Sequence, residues 1–493
     1  MKKHFLTGLS LLLLAAMLAS FVSCGADETA GNPGQAADGS TAVTAEAAET
    51  TEAETTRKPL EVPRKDYEGY VFRILEYTQT EIGQRQFLDF GWSKEASGDL
   101  INDAVYARNM VVEDHYNITV DSIQNDDVAA AAKKSVMAGT DDYDVAMSYI
   151  NKSFPLAQDG LLINLYDVPQ LNLANEWWDQ AAIRDIAIGG KMYAATGDIT
   201  MADEELNYCI FANKTVWKEY EVADLYQLAR EGKWTLEAMS EASRDVTHDL
   251  NGDGVLDEND VYGILTSTTV ASVWFISVGG RMAELDANGA PTLVLNSEKN
   301  VERIEKLHDL FTDTNLVLDA TNCSNQWKTC NTMLMEDRAL FRVGSVYNIQ
   351  QYRGMINDFG ILPYPKLDEQ QDDYHHLIAT QVCAAVSVPT TSVDPERTGI
   401  LLEALAYESK DTVMKAYYDV NLYTKVTRDE ESGEMFDIIF SSKCYDICKV
   451  FGWGGLEAMI NESVKTNSFA SAYAAKEASA LAAMEKTYAY FAS

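Results

Sequence analysis

The sequence predicts an α/β chain of two domains, with parallel-rich sheets flanked by helices and a helical C-terminal region. Three observations carry this. At 493 residues the chain exceeds the length at which one hydrophobic core usually stops growing. Strand-like and helix-like periodicities alternate from Tyr70 to Ile150, and from Pro395 onward the pattern is mostly helical.

The elements follow in order. Tyr70 to Tyr77 alternates and is rich in β-formers, so it reads as a strand. Leu100 to Tyr116 sets Ile101, Ala104, Val105, Val112 and Tyr116 at helical spacing, and Ile118 to Ile123 alternates again. A helix over Asp127 to Met137 and a strand over Tyr143 to Ile150 complete a βαβαβ unit. Such a unit implies a parallel sheet, whose ligands lie outside the carboxyl ends of the strands. Strands are expected at Leu206 to Ala212, Val261 to Leu265 and Phe359 to Pro365, and helices at Trp234 to Thr247 and Asn300 to Phe311. The chain ends in an Ala-rich helix, Ser471 to Phe491.

Charge narrows the function. Acidic residues number 76 against 39 basic ones, a net −37, so nucleic acid is not a partner: its phosphates need a cationic face. The only apolar run of near membrane-spanning length is N-terminal, which argues against a polytopic membrane protein. Lys2 and Lys3 precede the Leu-rich stretch Phe5 to Ala19, and Phe21-Val22-Ser23-Cys24 closes it with a small residue before a cysteine. This resembles a bacterial lipobox, although Phe21 stands where such motifs usually carry Leu. The resemblance implies a signal peptide over 1–23, a lipid on Cys24, and a chain on the outer face of the cytoplasmic membrane, held through that lipid alone. Residues 24–64 then read as an acidic tether, because Gly25 to Lys58 has no aromatic residue and almost no large aliphatic one to offset ordering.

One loop carries a metal signature. In Asp249-Leu250-Asn251-Gly252-Asp253-Gly254-Val255-Leu256-Asp257-Glu258-Asn259-Asp260, oxygen side chains stand at Asp249, Asn251, Asp253, Asp257 and Asp260. Gly254 allows the sharp turn and Val255 offers its carbonyl, the ligand pattern of an EF-hand calcium loop. Asp260 is shorter than the usual Glu, and a strand rather than a helix follows. The expected role is therefore a structural calcium clamp rather than a sensor.

Catalytic signatures are missing: the sequence holds no H-E-x-x-H, G-x-S-x-G, Walker or G-x-G-x-x-G motif. His375 and His376 are adjacent without a completing cluster and read as surface residues. Among 76 acids, chance carboxylate pairs are certain, so a glycosidase pair has no weight by spacing alone. Six cysteines follow Cys24 without a dense disulfide framework; most read as buried thiols, with Cys323 and Cys330 able to bridge. Aromatic residues stand where strands end or loops turn: Tyr149, Trp177, Trp178, Trp274, Tyr347 and Trp453. Sugars present an apolar C–H face and a hydroxyl rim, which such rings suit when carboxylates and amides flank them. The candidate binding residues are Tyr149, Asn151, Trp177, Trp178, Asp198, Tyr347 and Trp453; Trp217 and Trp234 fall within helical patterns and read as core.

The order of segments resembles a family. Tyr143-Asp144-Val145-Ala146-Met147, Gly160 to Leu165, Gly190-Lys191-Met192-Tyr193 leading to Asp198, Leu206 to Tyr220, and Phe359 to Pro365 resemble, in that order, segments of the maltose-type extracellular solute-binding proteins of ABC importers. The resemblance implies a two-lobed, periplasmic-binding-protein-like fold of type II. It places 65–165 and roughly 300–390 in the first lobe, and roughly 166–299 and 391–493 in the second lobe and helical C-terminal region. It further implies a monomeric, non-enzymatic receptor that binds a carbohydrate and presents it to ABC permease subunits. A secreted glycoside-active enzyme and a calcium-dependent adhesion or scaffold protein are the rival readings.

Overall fold

Asp99 starts the first long helix by accepting from the backbone N–H groups of Ile101 and Asn102, and Asn117 ends it in the left-handed region at φ 51°. Local signals of this kind place most elements of the computed structural model, which describes residues 57–78, 88–91, 95–352, 354–419 and 431–492. The strands of the two main sheets and the longer helices are, in chain order, β1 (Tyr70–Tyr77), α1 (Leu100–Tyr116), β2 (Ile118–Asn125), α2 (Val128–Ala138), β3 (Val145–Tyr149), α3 (Ile150–Gln158), β4 (Leu162–Ile163), β5 (Tyr208–Asn213), α4 (Leu236–Ser243), β6 (Tyr262–Thr266), α5 (Glu298–Thr312), β7 (Val317–Asp319), α6 (Gln326–Met335), β8 (Ala339–Ser345), β9 (Phe359–Leu362), β10 (Ala384–Pro389), α7 (Pro395–Ser409), α8 (Glu431–Ser441), α9 (Leu456–Thr466) and α10 (Phe469–Phe491).

Two five-stranded sheets result. The first has the order β2-β1-β3-β10-β4 and the second β9-β5-β8-β6-β7. Strands β1, β2 and β3 run parallel, and β10 is antiparallel to β3 and β4. In the second sheet β6 is parallel to β7 and β8, while β5 is antiparallel to β8 and β9. Strands β6, β8 and β10, interior to their sheets, and the edge strand β9 are buried along their whole length.

The division between the sheets differs from the expected lobe boundaries. Strands at 317–319, 339–345 and 359–362 pair into the second sheet, so of 300–390 only β10 returns to the first. Helix α7, expected with the second lobe, packs on α1 beside the first sheet. Sheet membership is decided by long-range pairing, which segment order does not report. The helix expected over Trp234 to Thr247 spans only Leu236–Ser243, because Thr235 caps it and Thr235 pairs with Lys366 in an isolated bridge.

All six described cysteines are free, including Cys323 and Cys330, and all but Cys323 are buried. The histidine pair is corrected too: His376 is buried, and His375 is half-buried. No helix of the described residues is long and apolar enough to cross a membrane. Residues Pro59–Ser493 form one compact unit; Cys24 and nearly all of the tether lie outside the described residues.

Candidate functional site

Parallel strands leave their carboxyl ends as ligand-facing edges. In the first sheet these ends are Tyr77, Asn125 and Tyr149; in the second they are Thr266, Asp319 and Ser345. Tyr149 stacks on Tyr77 with ring centroids 4.1 Å apart and planes 15° apart. Asn151 follows within α3, half-buried, its Oδ1 shielded from solvent without a hydrogen-bond partner. Tyr347 stands just past β8 in a 3-10 turn, also half-buried.

The second sheet's rim is polar in a way the sequence reading missed. Ser267 Oγ lies 2.9 Å from Thr321 Oγ1 and 3.0 Å from Gln326 Oε1, and Thr268 Oγ1 lies 2.7 Å from Thr321 Oγ1. Trp327, in the first turn of α6, and Asn348, beyond β8, are half-buried beside it. The run Thr266-Ser267-Thr268-Thr269 directly after a strand was the available signal, but hydroxyl residues after strands are common turn formers.

Between the sheets, one connecting segment bridges these edges. Ala379 N–H donates to the Leu206 carbonyl, the Thr380 carbonyl accepts from Asn151 N–H, and the Cys383 carbonyl accepts from Ile150 N–H. Close by, Lys443 Nζ stands 2.8 Å from Asp203, 3.1 Å from Glu204 and 3.7 Å from Asp179, all buried. Burial opposes the ammonium, but the three carboxylates outweigh it and push the amine's pKa well up. Burial, and then the charge of Glu204, push the Asp203 carboxyl well up as well. Asp198 is half-buried on a different connection, the stretch that leads from β4 to β5, its N–H donating to the Trp177 carbonyl at 2.9 Å.

Three expected stacking residues are corrected. Trp177 and Trp178 are 1% and 2% exposed, and both indole N–H groups donate to Glu403, at 2.9 and 2.8 Å. Trp453 is 2% exposed, donates to Thr487 Oγ1 at 3.0 Å and stacks on Phe451. Trp274 is fully buried and donates to Thr266 Oγ1. Each ring is buried in the core, and a buried polar partner satisfies its N–H, which makes that burial affordable for an indole.

The EF-like loop follows its predicted path into β6. Asp249 accepts from Gly252 and Gly254 N–H, Asn251 from Asp253, Asp253 from Val255, and Asp257 from Asn259. Asp260 is fully buried and closes the loop by accepting from Leu250 and Asp257 N–H. Those hydrogen bonds hold its carboxyl below the usual range. The donors are hard oxygens of the kind calcium takes. Among the described residues no three His, Cys, Asp or Glu side chains converge as a metal site, so here the acids cap their own backbone.

A separate cavity of about 610 Å³ is lined by Arg184, Arg281, Glu284, Tyr374, His375 and Cys444. No strand end of either main sheet lines it, so it is not the candidate site.

No protein-family model and no curated protein matches the chain. Solved structures do. UspC of M. tuberculosis is 13% identical and aligns over 84% of this chain and 100% of its own, with a TM-score of 0.55. A cyclo/maltodextrin-binding protein complexed with maltotetraose is 13% identical over 85% of this chain and 96% of its own, with a TM-score of 0.54. An ABC transporter solute-binding protein of Thermotoga lettingae, bound with α-D-tagatose, is 13% identical over 86% of this chain and 100% of its own, with a TM-score of 0.51. At this identity the likeness is one of fold: a two-lobed, periplasmic-binding-protein-like α/β architecture.

Proposed function

We propose that the chain is the lipid-anchored receptor of an ABC importer, which captures a carbohydrate by lobe closure and delivers it unchanged to permease subunits in the membrane. The observation that carries the reading is the pairing of two strand-end edges, one with Tyr149 and Asn151 and the other with the Ser267, Thr321, Gln326 and Tyr347 rim. Hydroxyls and amides that both donate and accept, beside half-buried rings, suit a polyol. Two neighbours of this fold hold maltotetraose and tagatose, which supports the same ligand class here. Contacts from both edges form together only when the lobes close, so the solute shifts an open population to a closed one.

The test is titration of an oligosaccharide panel followed by small-angle scattering. A cognate sugar compacts the protein and is recovered intact. Recovery of cleaved sugar favours the glycosidase reading; affinity for a protein partner with none for sugars favours the adhesion reading. Anchoring is tested by Cys24→Ser, which should move the protein from the membrane fraction to the soluble one.

The donor set of Asp249, Asn251, Asp253, Asp257, Asp260 and the Val255 carbonyl supports a second, independent reading: calcium draws these groups together and staples the loop to β6.

A further inference from the structure

Arg342 is a buried cation without a carboxylate. It is 2% exposed in the middle of β8, and its one hydrogen-bond acceptor among the described residues is the neutral Asn348 Oδ1, 2.9 Å from Nη1. That oxygen is shared with Ser345 N–H, and Arg342 Nε has no partner. Every ion pair between described residues engages some other base. Asp319, an acid on the same rim, accepts at Oδ1 from Thr268 N–H and from the N–H and Oγ1–H of Thr321. A buried guanidinium left in this state is costly, and in a chain with 76 acids a partner would have been easy to supply.

The local sequence carries the charge to the ligand edge. Gly344 lies two residues further along β8, and a Cβ there would sit 1.8 Å from Arg342 Nη1 and 2.6 Å from Asn348 Oδ1. Glycine is therefore needed for the guanidinium to run along the strand towards its carboxyl end. There it is flanked by the rings of Phe211 and Trp327, with centroids 5.9 and 5.7 Å away. Trp327 belongs to the first turn of the ten-residue helix α6, whose N-terminus adds positive potential on the same side.

We propose that the captured solute carries an anionic group, a carboxylate or a sulfate or phosphate ester, and that Arg342 receives it at the carboxyl end of β8. The inference rests on the carbohydrate reading for the rest of the solute, which makes the ligand an acidic sugar. The net charge of −37 does not oppose this at contact distance. Repulsion between exposed charges is screened within about 10 Å at 0.1 M salt, whereas a partly dehydrated guanidinium acts at short range.

The experiment is calorimetric titration of the full chain with matched acidic and neutral oligosaccharides: trigalacturonate against galactotriose, and sulfated and phosphorylated sugars against their parents. Inorganic sulfate is a further arm, and each probe is repeated on Arg342→Gln and Arg342→Lys. The expected result is one acidic member bound at least about 10-fold more tightly than its neutral match. Arg342→Gln should abolish that preference and Arg342→Lys keep part of it; which acid binds identifies the anion. Should neither variant fold, the matched pairs on wild type still decide. Equal or tighter binding of the neutral sugars, or a preference that survives Arg342→Gln, overturns the inference and leaves the carbohydrate reading intact. Sulfate bound through Arg342 with no sugar bound overturns the carbohydrate reading and keeps the anion site. If no anion in the panel binds wild type, the proposal falls.

Discussion

Trp177 donates its indole N–H to Glu403 at 2.9 Å across 226 residues of sequence, and the ring is 1% exposed. Trp178 and Asn172 N–H share the other carboxylate oxygen, so one buried acid organises the whole turn. Burial pushes the Glu403 carboxyl up, and its four donors pull it back. Glu403→Gln would keep one oxygen but turn an NH2 group onto Trp177 and Asn175. With part of the desolvation cost removed, the net loss should be about 1–3 kcal/mol in a denaturant titration. Trp177→Ala should lose about 3–5 kcal/mol with sugar affinity of the folded fraction unchanged. Weakened sugar binding at an unchanged midpoint would return the tryptophan to the site.

Removing the amine among Asp179, Asp203 and Glu204 should be severe. Lys443→Met strands buried carboxylates and should cost about 3–5 kcal/mol near neutral pH. Without the ammonium, the raised Asp203 carboxyl rises further. A raised carboxyl contributes stability in acid and loses it as pH rises, so the variant should lie closest to wild type at low pH. Midpoints from pH 4 to 8 check this; a constant gap would contradict it.

His376 sets an acid limit. Its Nε2 accepts from Tyr364 N–H at 2.9 Å and its Nδ1 faces Ser442 Oγ at 2.7 Å, so the neutral ring fits both partners. Burial, and then His375, lower its pKa from 6.5 to about 3. A depressed folded pKa gives stability that is present above 6.5 and lost as pH falls towards about 3. Asp446, raised by burial to about 6, slopes the opposite way between 3.8 and 6. His376→Gln preserves a donor and an acceptor, so its melting temperature should fall less steeply with acid than that of wild type. Parallel curves would argue against a titrating role for the ring.

Chelation tests the loop. If calcium binds at Asp249 to Asp260, a chelator should lower the melting temperature of wild type by several degrees, since ligand held only by the folded state adds to its stability. Asp249→Ala should already melt at the lower temperature and ignore the chelator. An unchanged wild-type curve would leave the loop as a solvated turn.

The sequence by itself determined the local architecture. β1, α1, β2, α2 and β3 lie within a few residues of where apolar spacing puts them, because burial of one face imposes a period of 2 or 3.6 on neighbouring residues. The placement of Tyr149 and Asn151 at a strand end was legible for the same reason, whereas β8, which sets Tyr347 just past its end, was not among the expected strands. Tertiary structure alone decided that Trp177, Trp178, Trp274 and Trp453 are core, which sheet receives 317–362, and that Arg342 is buried without an acid. A single ring or charge has no periodicity to read. Its environment comes from partners such as Glu403 for Trp177 or Ser442 for His376, which lie 226 and 66 residues away and are brought close only by the packing of the sheets and helices between them.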